Sequence, residues 1–315
     1  MSMEQAVAEL STIRDFIRWG TSRFNESGIY FGHGTDNALD EAAYLVLFAL
    51  NLPPKVGEEY LDTRLTTNER RTIVKLLHRR IDERLPAPYL THEAWYGGMP
   101  FYVDDRVLIP RSPIIELIEA HFSPWVKEPD LVTNILDLCT GSGCIAIACA
   151  AAFPEAKVDG SDISSDALEV AQINVERFEA QNQVNLIQSN LFKDLPTKRY
   201  DIIVSNPPYV DELDMKTLPE EFRHEPESAL AAGKDGLDLV FDILYNATYY
   251  LEPRGILVVE VGNSREALEK LLPEVEFLWL EFERGGDGVF LLTAEQVSKH
   301  HELIRLVRPE SITIR

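Results

Sequence analysis

Cysteine is scarce in this chain: three in 315 residues, Cys139, Cys144 and Cys149, all within one eleven-residue stretch of small and apolar side chains. That spacing builds no disulfide framework and lacks the paired ligands of a zinc site, so reduced, buried thiols are expected. Long apolar runs are missing too. The two longest, Ala42 to Leu50 and Cys144 to Phe153, are about half of the roughly 20 residues that a membrane-spanning helix needs, and they suit buried helices instead. The N-terminus carries acids where a secretory signal would carry a basic segment, so a cytoplasmic protein with no membrane partner is expected. His33, His78, His92, His121, His224, His300 and His301 show no ligand spacing, and no metal centre is expected. Basic charge is the last shortage: 30 Lys and Arg stand against 52 Asp and Glu, a formal charge of −22. Such a field repels naked nucleic acid, whose phosphates need cations to displace their counterions, and attracts a basic partner.

What is present, 45% hydrophobic and 26% charged residues, describes a globular chain of about two domains. From Glu4 to about Leu85 the apolar residues recur at helical spacing: Val7, Leu10, Ile13, Phe16 and Ile17, then Ala42 to Leu50, then Ile73, Val74, Leu76, Leu77 and Ile81. The third helix starts near Thr67 and is the one basic element, with Arg70, Arg71, Lys75, Arg79, Arg80 and Arg84. A solvated helix face is the simplest reading of that stripe, and a docking surface for nucleic acid is the alternative. Leu85-Pro86-Ala87-Pro88 should end the helix. A hairpin is expected next, from Ala94 to Tyr96 and Phe101 to Val103 around Gly97-Gly98. The organisation read from these shifts is a helical domain over 1–88, a hairpin linker over 89–112 and a further domain over 113–315.

Beyond Val132, short apolar runs (Val132 to Leu138, Val158 to Ile163, Val184 to Ile187, Asp201 to Ser205, Ile256 to Val261) alternate with helical patterns (Gly143 to Ala152, Ala167 to Phe178, Leu237 to Tyr249). Continuous apolar strands in β/α alternation predict an α/β fold, a doubly wound parallel sheet covered on both faces. Phe277 to Phe282 and Val289 to Leu292 are joined by too few residues for a crossover helix, so this last pair should be antiparallel. The acidity is uneven. Residues 1–125 hold 13 basic and 18 acidic side chains, a net of −5, against −17 for the remainder.

Ile135-Leu136-Asp137-Leu138-Cys139-Thr140-Gly141-Ser142-Gly143-Cys144 reads as a strand running into a glycine turn that opens a helix. Two glycines allow the close backbone approach that a flat or anionic ligand needs at a helix N-terminus. Asp162 ends the next apolar strand, where a carboxylate can accept both hydroxyls of a ribose. The loop also fits a dinucleotide pattern. Asp137 inside the strand tilts the reading toward S-adenosyl-L-methionine, because it would repel a pyrophosphate and welcome a cationic sulfonium amino acid, and no second nucleotide-binding half follows.

Ser205-Asn206-Pro207-Pro208-Tyr209 closes a later strand. Ligands gather at the carboxyl edge of an open α/β sheet, so this corner and the glycine turn should share one crevice. Prolines stiffen the corner and leave its carbonyls without local donors, and Asn206 adds a side-chain oxygen. Such acceptors suit a planar NH₂ group: the Asn206 side chain and the Pro207 carbonyl would each take one N–H, with Tyr209 stacked on the group.

Asn-Pro-Pro-Tyr behind a strand, with this glycine turn upstream, resembles the class I methyltransferases of exocyclic and amide nitrogens. His224-Glu225-Pro226-Glu227-Ser228-Ala229-Leu230 and Gly233-Lys234-Asp235-Gly236-Leu237-Asp238 look like the segment that marks the HemK-type protein glutamine N5-methyltransferases. Within that family, Leu108-Ile109-Pro110-Arg111-Ser112-Pro113, with Pro88-Tyr89-Leu90-Thr91 and Phe101-Tyr102-Val103-Asp104 before it, is similar to the branch whose substrate is a large-subunit ribosomal protein, the third. The resemblance covers the chain from about Leu85 onward and, more loosely, the N-terminal helices. It implies a class I fold with an antiparallel last strand, S-adenosyl-L-methionine as methyl donor and a basic ribosomal protein as partner. It implies that Asp137, Thr140, Gly141, Ser142 and Gly143 hold the methionine part, Asp162 the ribose, and Asn190, Leu191 and Phe192 the adenine, with Cys139, Ile163 and Asn206 also at the cofactor. It makes 1–88 the substrate-recognition domain and 113–315 the catalytic domain. The family usually has aspartate where Asn190 stands. Asn206, Pro207, Pro208 and Tyr209 would orient the glutamine amide. Arg111 would anchor the linker and Glu225 order the loop over the site. Three alternatives remain: a release-factor glutamine methyltransferase, which the missing acids after Arg111 disfavour; a nucleic-acid amino methyltransferase, supported only by the basic helix; and an assembly factor that merely binds the cofactor.

Overall fold

The computed structural model describes residues 2–308, so the last seven residues of the expected catalytic domain lie outside the described part. The described residues divide into two compact units, one of residues 2–94, 103–105 and 219–224, the other of 95–102, 106–218 and 225–308.

The first unit is helical: α1 (Met3–Glu9), α2 (Ile13–Glu26), α3 (Ala38–Ala49), α4 (Glu58–Leu61), α5 (Thr67–Asp82) and α6 (Ala87–Thr91). Local sequence sets the helix starts. Thr12 and Thr66 cap α2 and α5 and are answered by Asp15 and Glu69 in reciprocal capping boxes. Phe16, Phe24, Leu45, Ile73 and Leu77 fill the core. Gly20 lets three helices meet, since a methyl there would stand 3.1 Å from Leu77 and 3.2 Å from Ala42. α5 stops at Asp82, before the prolines, because Arg84 turns the chain at φ 53° and Pro86 opens α6 rather than closing α5.

The basic stripe of α5 is not one solvated face. Arg80 is buried, its Nε donating to Glu41 at 2.6 Å, with Glu221 at 3.5 Å. Arg84 donates to the carbonyls of Gly28 and Ser27 and to Glu221, Arg70 to those of Val7 and Leu10, and Arg79 pairs with Glu83. Arg71 and Lys75 remain exposed.

The hairpin strands β1 (Ala94–Tyr96) and β2 (Met99–Phe101), in the second unit apart from Ala94, precede α7 (Ile114–Glu119). The second hairpin strand lies two residues earlier than expected, because Gly97 and Gly98, both at positive φ, make the whole turn. A seven-stranded sheet follows, built from β3 (Asn134–Leu138), β4 (Lys157–Asp162), β5 (Val184–Gln188), β6 (Tyr200–Ser205), β7 (Leu251–Glu260), β8 (Leu278–Trp279) and β9 (Val289–Thr293). The spatial order is β5-β4-β3-β6-β7-β9-β8. The first five strands are parallel, β9 runs antiparallel to β7, and β8 antiparallel to β9, as expected of the last pair. β8 is only two residues long.

Alternate residues of the central strands feed two cores. Ile135, Ile202 and Val204 face α7 and α8 (Cys144–Ala152), while Leu136, Ile203 and Leu257 face α11 (Asp238–Tyr250) and α13 (Ala294–Val307). α9 (Ser165–Arg177), α10 (Glu212–Thr217) and α12 (Arg265–Leu271) complete the set; α7, α10, α12 and α13 go beyond the helices expected from the sequence, although Thr293 and Gln296 give α13 a reciprocal capping box. All three thiols are free, and burial pushes that of Cys144 up to about 12. No described helix is long and apolar enough to cross a membrane. Strand order reverses between β3 and β6, which opens a crevice at their carboxyl ends.

Candidate active site

A cavity of about 390 Å³ lies in that crevice, within the second unit, a volume suited to a small-molecule ligand. β3 ends at Leu138, paired with Ser205, so the glycine turn and the Asn206 corner leave the sheet side by side. The Ser205 hydroxyl donates to the Leu138 carbonyl at 2.9 Å and ties the two strand ends together.

The turn is bent by positive φ at Cys139, Gly141 and Gly143, the last capping α8. A methyl on Gly143 would stand 3.2 Å from Ala171, whereas the space over Gly141 is open. Asp137 is fully buried. Its Oδ2 accepts from the Thr140 hydroxyl at 2.5 Å and the Ala146 N–H at 3.0 Å, while Oδ1 has no partner. Burial pushes its carboxyl up to about 7, with those hydrogen bonds pulling the other way. Asp162 accepts from the N–H groups of Gly141 and Ser164, both at 2.9 Å, and burial raises its pKa.

Of the residues singled out in the sequence, Cys139, Thr140, Gly141, Ser142, Asp162, Ile163, Asn190, Leu191, Asn206 and Pro208 line the cavity. Asp137 lies under the turn. Gly143 shapes the helix start, and Phe192 packs on Tyr250 with ring centroids 4.8 Å apart. Pro207 and Tyr209 are not among the lining residues. Asn206 Oδ1 is buried without a partner, an acceptor left over for an incoming N–H. The unpartnered Asp137 oxygen fits the cationic end of an amino acid in the same way, so the residues present suit S-adenosylmethionine.

Arg106, Leu108, Pro110, Arg111 and Ser112 line one side, and Pro226 to Gly233 with Asp238 another. Arg111 forms a two-bond fork with buried Glu225 at 2.6 and 2.9 Å, and Glu225 also accepts the Ile109 N–H. The Pro226 to Gly233 segment is held to the Asn206 corner by Val210 and Ala232: Val210 N–H donates to the Leu230 carbonyl, and Ala232 N–H to the Val210 carbonyl.

Sequence reading missed Glu260, the last residue of β7. It is buried and accepts the Tyr209 hydroxyl at 2.7 Å and the Ser112 hydroxyl at 2.5 Å. Its signal was an acid closing an apolar strand, the pattern that had marked Asp162. No cluster of metal-ligating side chains occurs among the described residues.

The model of the family described as "Methyltransferase small domain" matches residues 126–278. The ribosomal protein uL3 glutamine methyltransferase of Neisseria meningitidis serogroup B (strain ATCC BAA-335 / MC58) is 54% identical over 93% of this chain and 96% of its own. The protein of the same description from Neisseria gonorrhoeae (strain ATCC 700825 / FA 1090) is 53% identical over 93% and 98%. A crystal structure of a methyltransferase from Pyrococcus furiosus superposes with a TM-score of 0.45 at 19% identity, over 62% of this chain and 89% of that one.

Proposed function

The chain belongs to the ribosomal protein uL3 glutamine methyltransferases, and from that premise we propose that it methylates the side-chain amide nitrogen of a glutamine in uL3. The observation that carries the chemistry is the buried, unpartnered Asn206 oxygen beside the cofactor turn.

When bound, S-adenosylmethionine supplies an electrophilic methyl. The protein's part is to make a poor nucleophile react. An amide nitrogen has a delocalised lone pair, so holding it at attack distance is worth up to roughly 7 to 11 kcal/mol. Asn206 Oδ1 and the Pro207 carbonyl accept the two amide hydrogens, which fixes the plane of the group and aims its nitrogen at the methyl; one of those hydrogens leaves as a proton when the nitrogen gains the methyl. The Asn206 corner cannot relax away from that arrangement, because Pro207 and Pro208 restrict its backbone. Asp137 receives the ammonium end of the cofactor, Asp162 its ribose, and Asn190 its adenine. Ile163, 52% exposed at the cavity, offers an apolar surface to the base.

The helical unit, residues 1–88 in the sequence-based division, is the substrate-recognition part in this reading, and a ribosomal substrate fits a cytoplasmic place of action. A contact of α5 with ribosomal RNA rests on Arg71 and Lys75 alone, since the other cations of that stripe are spent on partners within the unit.

Incubation with labelled cofactor and separated large-subunit proteins, followed by mass spectrometry, should place one methyl on a glutamine of uL3. Label found only in RNA rejects the reading. Asn206→Ala should lower kcat by orders of magnitude while the cofactor Kd stays within about tenfold.

A further inference from the structure

Tyr209 is built in from every side. Its hydroxyl donates to Glu260 at 2.7 Å, and its carbonyl accepts from the Ser264 hydroxyl at 3.1 Å. A methyl on Gly262 would stand 2.6 Å from the ring, and one on Gly236 2.2 Å from the carbonyl oxygen. The other oxygen of Glu260 accepts the Ser112 hydroxyl at 2.5 Å, and Ser112 lines the cofactor cavity. A fully buried carboxylate is costly unless its hydrogen bonds repay it. Here both donors come from segments that flank the cavity, and the residue itself is no part of its lining.

We propose that Glu260 is a positioning residue for methyl transfer: by accepting the Tyr209 and Ser112 hydroxyls together, it locks the Asn206–Tyr209 corner to the Pro110–Ser112 wall and so fixes the acceptor that receives the amide. This rests on the glutamine reading above. Glu260 acts through Tyr209, so the two residues should behave as one unit. The Asn206 oxygen lies three residues before Tyr209 on a backbone that two prolines stiffen, so the position of the ring is passed to it with little slack.

The test is a double-mutant cycle of Glu260→Gln and Tyr209→Phe on uL3 methylation. Glutamine removes the buried charge, keeps the shape and leaves one of the two hydroxyls without an acceptor. Each single change should lower kcat by roughly tenfold to a hundredfold, the range of one hydrogen bond to a charged group. KM for uL3 and the cofactor Kd should move less than about threefold. The double variant should lose no more than the worse single. Multiplicative losses, or losses confined to KM or cofactor Kd, overturn the role. A second readout needs no substrate. With tyrosine labelled at Cζ with carbon-13, the signal that vanishes in Tyr209→Phe should shift in Glu260→Gln, and an unmoved signal in an active enzyme overturns the role alone. Failure of the unaltered enzyme to methylate any glutamine sinks the functional reading and this role with it.

Discussion

In the proposed reading, Asp137 is the residue whose charge admits the cationic end of the cofactor. Burial pushes its carboxyl up to about 7, so the group is protonated below that pH, and a ligand ammonium prefers the ionised form. The sign follows from linkage: a pKa raised by burial means that ionisation costs free energy, and a bound cation repays that cost only where the proton has left. Cofactor affinity should therefore rise as pH climbs from 5.5 toward 7 and level off above, by up to about tenfold per unit on the steep limb. Calorimetry across that range checks this. Asp137→Asn should bind weakly and lack the limb near 7; a limb of unchanged size would assign the titration to another group, such as Asp162, whose pKa burial also raises.

At the scale of the element, α5 is where local sequence and tertiary packing disagree. Its start and apolar stripe were readable because each depends on neighbours within a turn or two. Arg80 was not, since its partners Glu41 and Glu221 stand 39 and 141 residues away. For the same reason the glycine turn and the Asn206 corner could be recognised as contiguous motifs, whereas Glu260 could not, its partners being 51 and 148 residues off. The hairpin slipped by two because apolar residues continue past the strand that uses them. Arg80 also carries a stability consequence. Arg80→Met leaves buried Glu41 without its ion-pair partner, while Glu221 keeps Arg84, and should cost about 3–5 kcal/mol in denaturant unfolding. Arg71→Met, on the exposed face of the same helix, should stay within about 0.5 kcal/mol. Equal effects would mean that the buried cluster contributes nothing particular.

The whole molecule adds what no single element supplies, a net charge of −22 of which −17 falls after residue 125. A field of that size acts over the Debye length, about 10 Å at 0.1 M salt, and guides a basic protein more strongly than a neutral one. Capture and chemistry then separate. Salt should lower kcat/KM for intact uL3 steeply, by about tenfold or more between low and high ionic strength, while kcat at saturation changes little because the Asn206 corner and its proline-stiffened backbone feel no long-range field. A short uncharged peptide containing the target glutamine gives the control: its kcat/KM should be nearly flat in salt. Parallel salt curves for the protein and the peptide would place the ionic sensitivity in the active site itself and remove steering from the account.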